Sequence, residues 1–515
     1  MLISSFTLVS RILGFGRDLA VSYFMGASAS IAADAFNAAF AFPNLFRRIF
    51  AEGAFASAFV PAYARSIERD GEETADVLAA DAMAVLAAAT LALTVIAELA
   101  MPWLVRYLIA PGFAATPGKV RLAVVLTQIT MPYLPCMAIY AHLSGVLNAR
   151  GRFILSSAAP ILLNLWTLAV VLPAKSPTLA AYYASAGILA AGVSQAALLW
   201  WGVRRSGARV DVRRPRLTPE INKLIGLAVP GAIAASATQI NIFISGILVS
   251  HQNGARSWLA VCDRLYQLPQ GLVGVAVGVA LLPRLSRSVQ AGDEPEARRA
   301  LDQAVTFCMA LTMPAAAALV SMPFFIIDGL YRRGEFKLVD AHATAAALQQ
   351  YGWGVPAFVL AQITSRAFFA QQDTQTPMRI ALASVGVNIV LSVALFDLWG
   401  VVGIAAATSA AAWLNVALMA VTLARRGVYA PSPAAWSRLV RVLAASVSLG
   451  LLLAAASHWR PLIEAPLRDV RFGPLHAKEL AILGVSAAAA AVYPALLFAS
   501  GGLTLAELRM ALRRR

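Results

Sequence analysis

The sequence predicts an all-α polytopic membrane protein: fourteen transmembrane helices, forming two six-helix lobes related by a pseudo-two-fold axis along the membrane normal, plus two C-terminal helices. Three observations lead there. The 515-residue chain is 59% hydrophobic and only 13% charged, and its mean hydropathy of +0.70 lies far outside soluble-domain values. Its Lys and Arg residues gather in short loops between apolar runs of about 20 residues, each long enough for a hydrocarbon core of roughly 30 Å. Motifs in the first half also return in the second with the same membrane orientation.

The candidate spans centre near residues 5–24, 32–60, 78–108, 122–147, 153–173, 178–203, 222–249, 257–283, 302–331, 343–369, 377–398, 400–424, 437–457 and 478–500. Span 1 opens without a basic leader or a small-residue cleavage site, so it serves as its own targeting signal. Thr7, Ser10, Arg11, Gly14, Arg17 and Asp18 share one of its faces by helical spacing. Arg17 and Asp18 can also form a purely local ion pair.

Span 2 carries the most informative pattern. Asp34, Asn37, Ala41, Asn44 and Arg48 fall on one stripe by i+3 and i+4 steps, with Arg47 at its edge and Glu52 beyond. A charged side chain at mid-membrane depth costs roughly 2.5 to 3.5 kcal/mol on insertion scales, so these residues are expected to face a watery or protein-lined interior. Pro43 removes a backbone donor beside them and predicts a kink. Span 8 holds Asp263, Arg264, Gln267 and Gln270, followed by Gly271, Gly274 and Gly278, a stripe that permits close helix approach.

Positively charged loops set the orientation. Arg150 and Arg152 after span 4, Arg204 to Lys223 after span 6, Arg284 to Arg299 after span 8, Arg425 to Arg441 after span 12 and the tail Arg513–Arg515 all follow even-numbered spans. Both termini are then cytoplasmic, although Lys119 and Arg121, Arg332, Arg333 and Lys337, and Arg460, Arg468 and Arg471 lie on the other side. Pairing these spans as repeats sets Phe42-Pro43-Asn44 beside Leu268-Pro269-Gln270. It also sets residues 147–152 leading to Asn164 beside residues 370–377 leading to Asn388. The expected organisation is an N-lobe at 1–205, a basic cytoplasmic linker at 206–221, a C-lobe at 222–427, and a final helix pair with a basic tail at 428–515.

A cavity holding Arg11, Arg17, Arg47, Arg48 and Arg264 against Asp34, Glu52 and Asp263 has a positive surplus, so its natural ligand is an anion. Guanidinium forks match phosphate oxygens bidentately and stay charged when partly desolvated, which suits a diphosphate. Asp34 has arginines nearby, so ion pairing is its expected job. The formal net charge of +16 is a topology signal rather than a sign of nucleic acid, because it is spread over loops. His142, His251, His342, His458 and His476 are scattered, Cys136, Cys262 and Cys308 have no paired spacing, and no Walker loop occurs. The expectation is a carrier, not an enzyme, with no metal or bound cofactor. The membrane potential, worth about 2.3 kcal/mol per charge per 100 mV, and a carried cation stay open as energy sources.

These residues carry a resemblance. Ser10-Arg11 with Gly14, Arg17 and Asp18, Ala33-Asp34-Ala35-Phe36, Pro43-Asn44 with Arg47, Arg48, Glu52 and Gly53, Pro111-Gly112-Phe113, and Asp263-Arg264-Leu265 with Leu281-Leu282-Pro283 are similar to the MurJ (MviN) lipid II flippase family. That family belongs to the multidrug/oligosaccharidyl-lipid/polysaccharide (MOP) exporter superfamily, and the similarity spans most of residues 1–426. It implies two six-helix lobes, two extra helices forming a lipid-facing groove, and transfer of the undecaprenyl-diphosphate-linked peptidoglycan precursor from the cytoplasmic to the periplasmic leaflet of the bacterial inner membrane by alternating access. By motif, Arg17, Arg47 and Arg264 would contact the diphosphate. Arg11 and Asp34 also match functional positions of the family, and Asn44, Arg48, Glu52, Asp263 and Gln267 would support the cavity. Some relatives place Glu where this chain has Gln267. Lipid II, membrane lipids and the peptidoglycan synthesis machinery are the expected partners. A flippase for another polyprenyl-diphosphate-linked oligosaccharide shares the cationic cavity, and a wall-synthesis scaffold without transport is the third class, one that would not need charges inside spans 1, 2 and 8.

Overall fold

The computed structural model describes residues 2–48, 55–280, 287–288, 293–469 and 476–502. In chain order the helices are α1 (Leu2–Met25), α2 (Ala32–Arg47), α3 (Phe55–Asp70), α4 (Glu72–Trp103), α5 (Lys119–Thr130), α6 (Tyr133–Ala149), α7 (Ile154–Ala158), α8 (Pro160–Val171), α9 (Pro177–Arg205) and α10 (Pro219–Val249). They continue as α11 (Ala255–Ala280), α12 (Glu294–Ser321), α13 (Pro323–Leu330), α14 (Leu338–Gly352), α15 (Val355–Ala370), α16 (Gln375–Trp399), α17 (Val401–Arg425), α18 (Pro433–His458), α19 (Arg460–Glu464) and α20 (Ala477–Ser500). Past Pro102, α4 widens into a π-helical stretch, Leu104–Ile109, followed by a 3₁₀ turn, Pro111–Ala115. The fold class is all-α, as predicted.

Helix starts follow local chemistry. Ser176, Thr218, Asp293 and Ser432 each accept a hydrogen bond from the backbone N–H three residues on, at 3.3, 3.3, 3.1 and 3.1 Å, and each precedes a proline in the first helical turn. That combination satisfies one orphan donor with a side chain and places a residue lacking N–H where none is needed. Pro43 lies inside α2, which continues to Arg47.

Among the described residues, nine helical stretches are long and apolar enough to cross a membrane. They fall on expected spans 3 to 6, 9 and 11 to 14. Among the described residues the remaining expected spans are also helical: spans 1, 2 and 8 carry the polar stripes of α1, α2 and α11, span 7 is α10, and span 10 breaks in two at residues 353–354 between α14 and α15.

Two compact units form: Met1–Ser257 with Arg333–Lys337, and Trp258–Arg332 with Leu338–Arg515. In the first unit α9 packs on α2, α6 and α8, and α10 leans on α3. Its apolar interior has one cluster around Phe36, Phe42, Met101, Phe113 and Leu126, and another around Phe59, Tyr63, Leu143 and Leu199. Residues 333–337 join this unit through a backbone contact: Glu335 N–H donates to the Tyr23 carbonyl at 2.9 Å. Gly26 at φ 70° and Gly334 at φ 58° flank that contact, and a Cβ on Gly26 would lie 2.5 Å from the Glu335 carbonyl oxygen. Left-handed backbone and close approach together require glycine there.

In the second unit α12 packs on α15 and α18, around Cys308, Ile363, Phe368 and Leu423. The C-terminal helices are held by a buried carboxylate. Asp328 at the end of α13 is fully buried and accepts from Arg460, while Arg332 Nε lies 2.6 Å from its other oxygen. Arg460 also donates to Glu464 at 2.5 Å and lies over the Phe325 ring at 4.9 Å, and Lys478 donates to the Arg332 carbonyl. The carboxylate thus ties α13 to α19, and the Arg332 carbonyl ties the same segment to the start of α20. Removing one member of such a pair leaves a buried charge uncompensated, at about 3–5 kcal/mol. Asp328→Asn is therefore expected to lower stability by that amount in thermal unfolding of the purified protein.

A second, exposed pair lies in the turn between α15 and α16. Asp373 accepts from the Thr376 N–H at 2.9 Å and from Arg426 at 2.7 Å. Its hydrogen bonds to Thr376, together with the Arg426 guanidinium, hold its carboxyl well below the usual carboxylate range. A depressed carboxyl contributes stability that is present above the ordinary value, about pH 4, and is lost as pH falls through the lower folded value. Asp373→Asn should therefore lower the thermal midpoint at pH 7, and the gap from the parent should close as pH falls below about 4.

Candidate functional site

Each stripe residue sits on the helix the sequence assigned to it. On α1, Arg17 donates from Nε and Nη2 to Asp18 Oδ1 at 3.0 and 2.7 Å, so the local ion pair forms. Arg11 is exposed two turns earlier. Between them Gly14 faces Asn164 of α8, whose side-chain amide donates to the Ser10 carbonyl at 2.9 Å. This bond fixes the rotation of α1 and with it the direction in which Arg11 and Arg17 emerge.

On α2 the stripe divides. Arg47 Nε donates to Asn44 Oδ1 at 2.8 Å, an i,i+3 bond that fixes the base of the guanidinium, and Arg48 beside it is half-buried. Glu52 lies outside the described residues. Asp34 stands thirteen residues before Arg47, roughly 20 Å away along the helix axis at 1.5 Å per residue. One stripe therefore serves two places.

Asp34 is completely buried and all of its acceptor positions are filled. Oδ1 accepts from the backbone N–H and the hydroxyl of Ser257 at 3.1 and 2.9 Å. Oδ2 accepts from Lys119 Nζ at 2.8 Å and from the Gly254 N–H at 2.7 Å. The ionic partner is thus Lys119 at the start of α5, rather than an arginine. Lys119 also donates to Asn253 Oδ1 at 2.8 Å and lies over the Phe113 ring at 4.4 Å.

Around this pair, Asn253 donates to the Ser28 carbonyl at 3.0 Å and Asn37 donates to Ser257 Oγ at 3.1 Å. The Gly112 N–H donates to Ser250 Oγ at 3.0 Å, and Arg256 donates to the Ile109 carbonyl at 3.1 Å. The Pro111-Gly112-Phe113 motif now has a physical role. Gly112 has no room for a Cβ beside the 250–251 backbone, and Phe113 provides a buried ring for two cations, Lys119 and Arg256, the latter at 6.0 Å. Lys119, Asn253, Arg256 and Ser257 were not identified as site residues from the sequence. Lys119 reads there only as a basic residue on the wrong side for the loop-charge rule, and the Asn253-Gly254 turn signal does not reveal what its amides bind.

In the second unit, Asp263 and Arg264 are half-buried on α11 and Gln267 is exposed. Their turn rests on a firm floor. Trp258 donates to Asp340 at 3.0 Å, Cys262 donates to the Thr344 carbonyl at 3.4 Å, and Tyr266 stacks on Tyr351 at 4.8 Å and meets Phe358 at 5.2 Å. These contacts from α14 and α15 fix the face on which Arg264 stands. Among the described residues no three of His, Cys, Asp and Glu gather as a metal site.

The family model described as lipid II flippase MurJ matches residues 21–465. The chain belongs to this family. The probable lipid II flippase MurJ of Rhizobium meliloti (strain 1021) is 40% identical over 512 residues, covering 99% of this chain and 94% of the relative. The lipid II flippase MurJ of Burkholderia cenocepacia is 32% identical over 463 residues, covering 89% and 88%. Among solved structures, lipid II flippase MurJ in an inward closed conformation superposes with a TM-score of 0.78 at 24% identity over 96% of this chain and 97% of that one. An inward-facing multidrug resistance MATE transporter of the MOP superfamily gives 0.65 at 14% identity over 82% and 98%. The MurJ resemblance holds, the MATE match shows a shared fold, and the chain is a multi-pass protein of the bacterial inner membrane from a transport family.

The Asp34 cluster generates a test. Asp34→Asn or Lys119→Met alone leaves a buried partner uncompensated and is expected to cost about 3–5 kcal/mol in thermal unfolding. The double variant should cost clearly less than the sum of the two, because neither charge is then left unpaired.

Proposed function

We propose that this chain moves lipid II from the cytoplasmic to the periplasmic leaflet, with its diphosphate passing through a cationic site to which Arg17, Arg47 and Arg264 contribute. The observation that carries the reading is full-length kinship at 40% identity with a probable lipid II flippase, in a chain that keeps all three arginines on helices too polar to be ordinary lipid-facing spans. Three guanidiniums offer forked donors to phosphate oxygens, and their pairs with Asp18 and Asn44 pre-set two of them at little entropic cost. Arg11, Arg48, Asp263 and Gln267 stand on the same two polar helix faces and α2, and support that site.

Both termini are cytoplasmic in this reading, from the excess of Lys and Arg in even-side loops. The turns that meet at Asp34, those before α2, before α5 and between α10 and α11, are then periplasmic. Asp34 acts as a latch that closes that side and must open before the head group leaves. The lipid tail stays in the bilayer along α18 and α20. The membrane potential, or a cation carried with the substrate, supplies direction. The wall-synthesis machinery would take up the released precursor.

Arg17→Ala, Arg47→Ala and Arg264→Ala should each reduce flipping of lipid II by purified protein in vesicles by roughly 10- to 100-fold, the equivalent of about 1.5–3 kcal/mol per charged hydrogen bond. Insertion and thermal midpoint should be little changed. Undiminished flipping in all three removes the site, and accumulation of a different lipid-linked precursor on depletion of the protein removes lipid II as the cargo.

A further inference from the structure

The basic linker between α9 and α10 holds none of the residues of the proposed cationic site, yet it has a fixed course within the first unit. Residues 207–217 form no helix, but Ala208 and Val210 are 2% and 4% exposed while Arg209, Asp211 and Val212 are open to solvent. That alternation is the signature of extended chain lying on a surface. Its anchor is Asp76 near the start of α4, which is itself buried. Asp76 accepts from the Arg209 backbone N–H at 2.7 Å, the Tyr63 hydroxyl at 2.8 Å and Arg150 at 2.9 Å. Five residues along α4, Asp81 lies 4.0 Å from Arg213. The linker is thus a strap laid along the first turns of α4, held mainly through its backbone, with Arg213 beside Asp81 and Arg209, Arg214 and Arg216 on the open face.

Depth in the membrane is marked by tryptophan. Arg204 lies over the Trp200 ring at 5.4 Å and Arg205 over the Trp201 ring at 5.1 Å. Indole rings favour the boundary between headgroups and hydrocarbon, and these arginines follow one helical turn later, about 5.4 Å along the axis. With the rings at that boundary, the guanidiniums packed over them lie beside it on the side of the helix end, within reach of lipid phosphates. Arg152 donates to the Arg205 carbonyl at 3.4 Å and caps this end of α9. Between residues 204 and 216 six arginines face a single acid, Asp211.

We propose that the end of α9 and this strap form a docking surface for anionic phospholipid headgroups of the leaflet in which α9 ends. The surface works through placement as well as charge. Tryptophan sets the depth, Asp76 sets the course of the strap, and the arginine forks meet a row of phosphodiesters at fixed spacing, so the strap is clamped to one leaflet.

The test uses the full-length protein purified in detergent and titrated with phosphatidylglycerol or phosphatidylcholine, with bound lipid counted by native mass spectrometry. Phosphatidylglycerol should bind at least about tenfold more tightly, and replacing Arg204, Arg205, Arg213 and Arg214 by Gln should abolish the preference, since each such residue contributes about fivefold. Asp76→Asn is the decisive variant. It makes the protein more positive, so diffuse attraction would rise, whereas release of the strap should lower the preference. Glu72→Gln adds the same charge at the exposed partner of Arg150, 3.0 Å away, without touching the strap, and should keep the parent preference. The proposal fails if Asp76→Asn binds phosphatidylglycerol as well as the parent does, if Glu72→Gln falls equally far, or if soluble glycerol 3-phosphate competes at the same concentration as the lipid.

Discussion

A carboxylate with no access to water is the constraint around which the first unit is arranged. Asp34 cannot be buried as an ion unless its charge is balanced and its lone pairs are filled, because the desolvation cost of an uncompensated ion runs to several kcal/mol. Lys119 provides the balance, and three donors from the 254–257 turn fill the rest. Segments far apart in sequence become one object: the start of α2, the start of α5 and the α10–α11 turn hold together or separate together. Such a knot suits a gate. Its gross interactions are large, but water can supply the same hydrogen bonds to Asp34 and Lys119 once the turns part, so the net difference between closed and open is modest. A purely apolar seal of the same size would expose its surface to water with no such replacement.

The polar stripe of α2 shows how one helix can present charge to two separate environments. Asp34 and Arg47 share a face by spacing, which is why they read as parts of one site, but their separation along the axis puts them in different environments. At one end the carboxylate is enclosed and satisfied by backbone. At the other the guanidinium is half-buried and steadied by Asn44. At the enclosed end the protein supplies every partner, and in the proposed reading the other end is the one that meets the anion.

Much of this was legible in the sequence because the bilayer imposes strict rules. Apolar length and the interruption of that length by Arg11, Arg17, Asp34, Arg47 and Arg264 are local properties, and the helices follow them. The partners were not legible. Lys119 meets Asp34 across 85 residues and Asp328 meets Arg460 across 132, and no periodicity links such positions. The loop-charge rule even worked against Lys119, since it treats every lysine as a topology marker, whereas this one is buried and paired. The same limit hid the strap: 206–221 reads as a basic linker by composition, and only the burial of Ala208 and Val210 with the bond to Asp76 shows that its course is fixed.

The local pairing of the arginines bears on how a carrier can bind a diphosphate and still release it. Three bare guanidiniums aimed at one anion would gain strongly from forked, charge-assisted bonds, and a site that held its cargo that tightly would turn over slowly. Arg17 already shares its charge with Asp18, and Arg47 already spends one donor on Asn44. In the proposed site a phosphate arriving at Arg17 would therefore compete with a carboxylate that is ready to return, and one arriving at Arg47 would find the base of the fork already committed. Each pair lowers affinity while keeping the side chain extended toward the site. In the proposed passage, which must work in one direction many times, this loss of affinity would let the same residues accept the head group and later let it go.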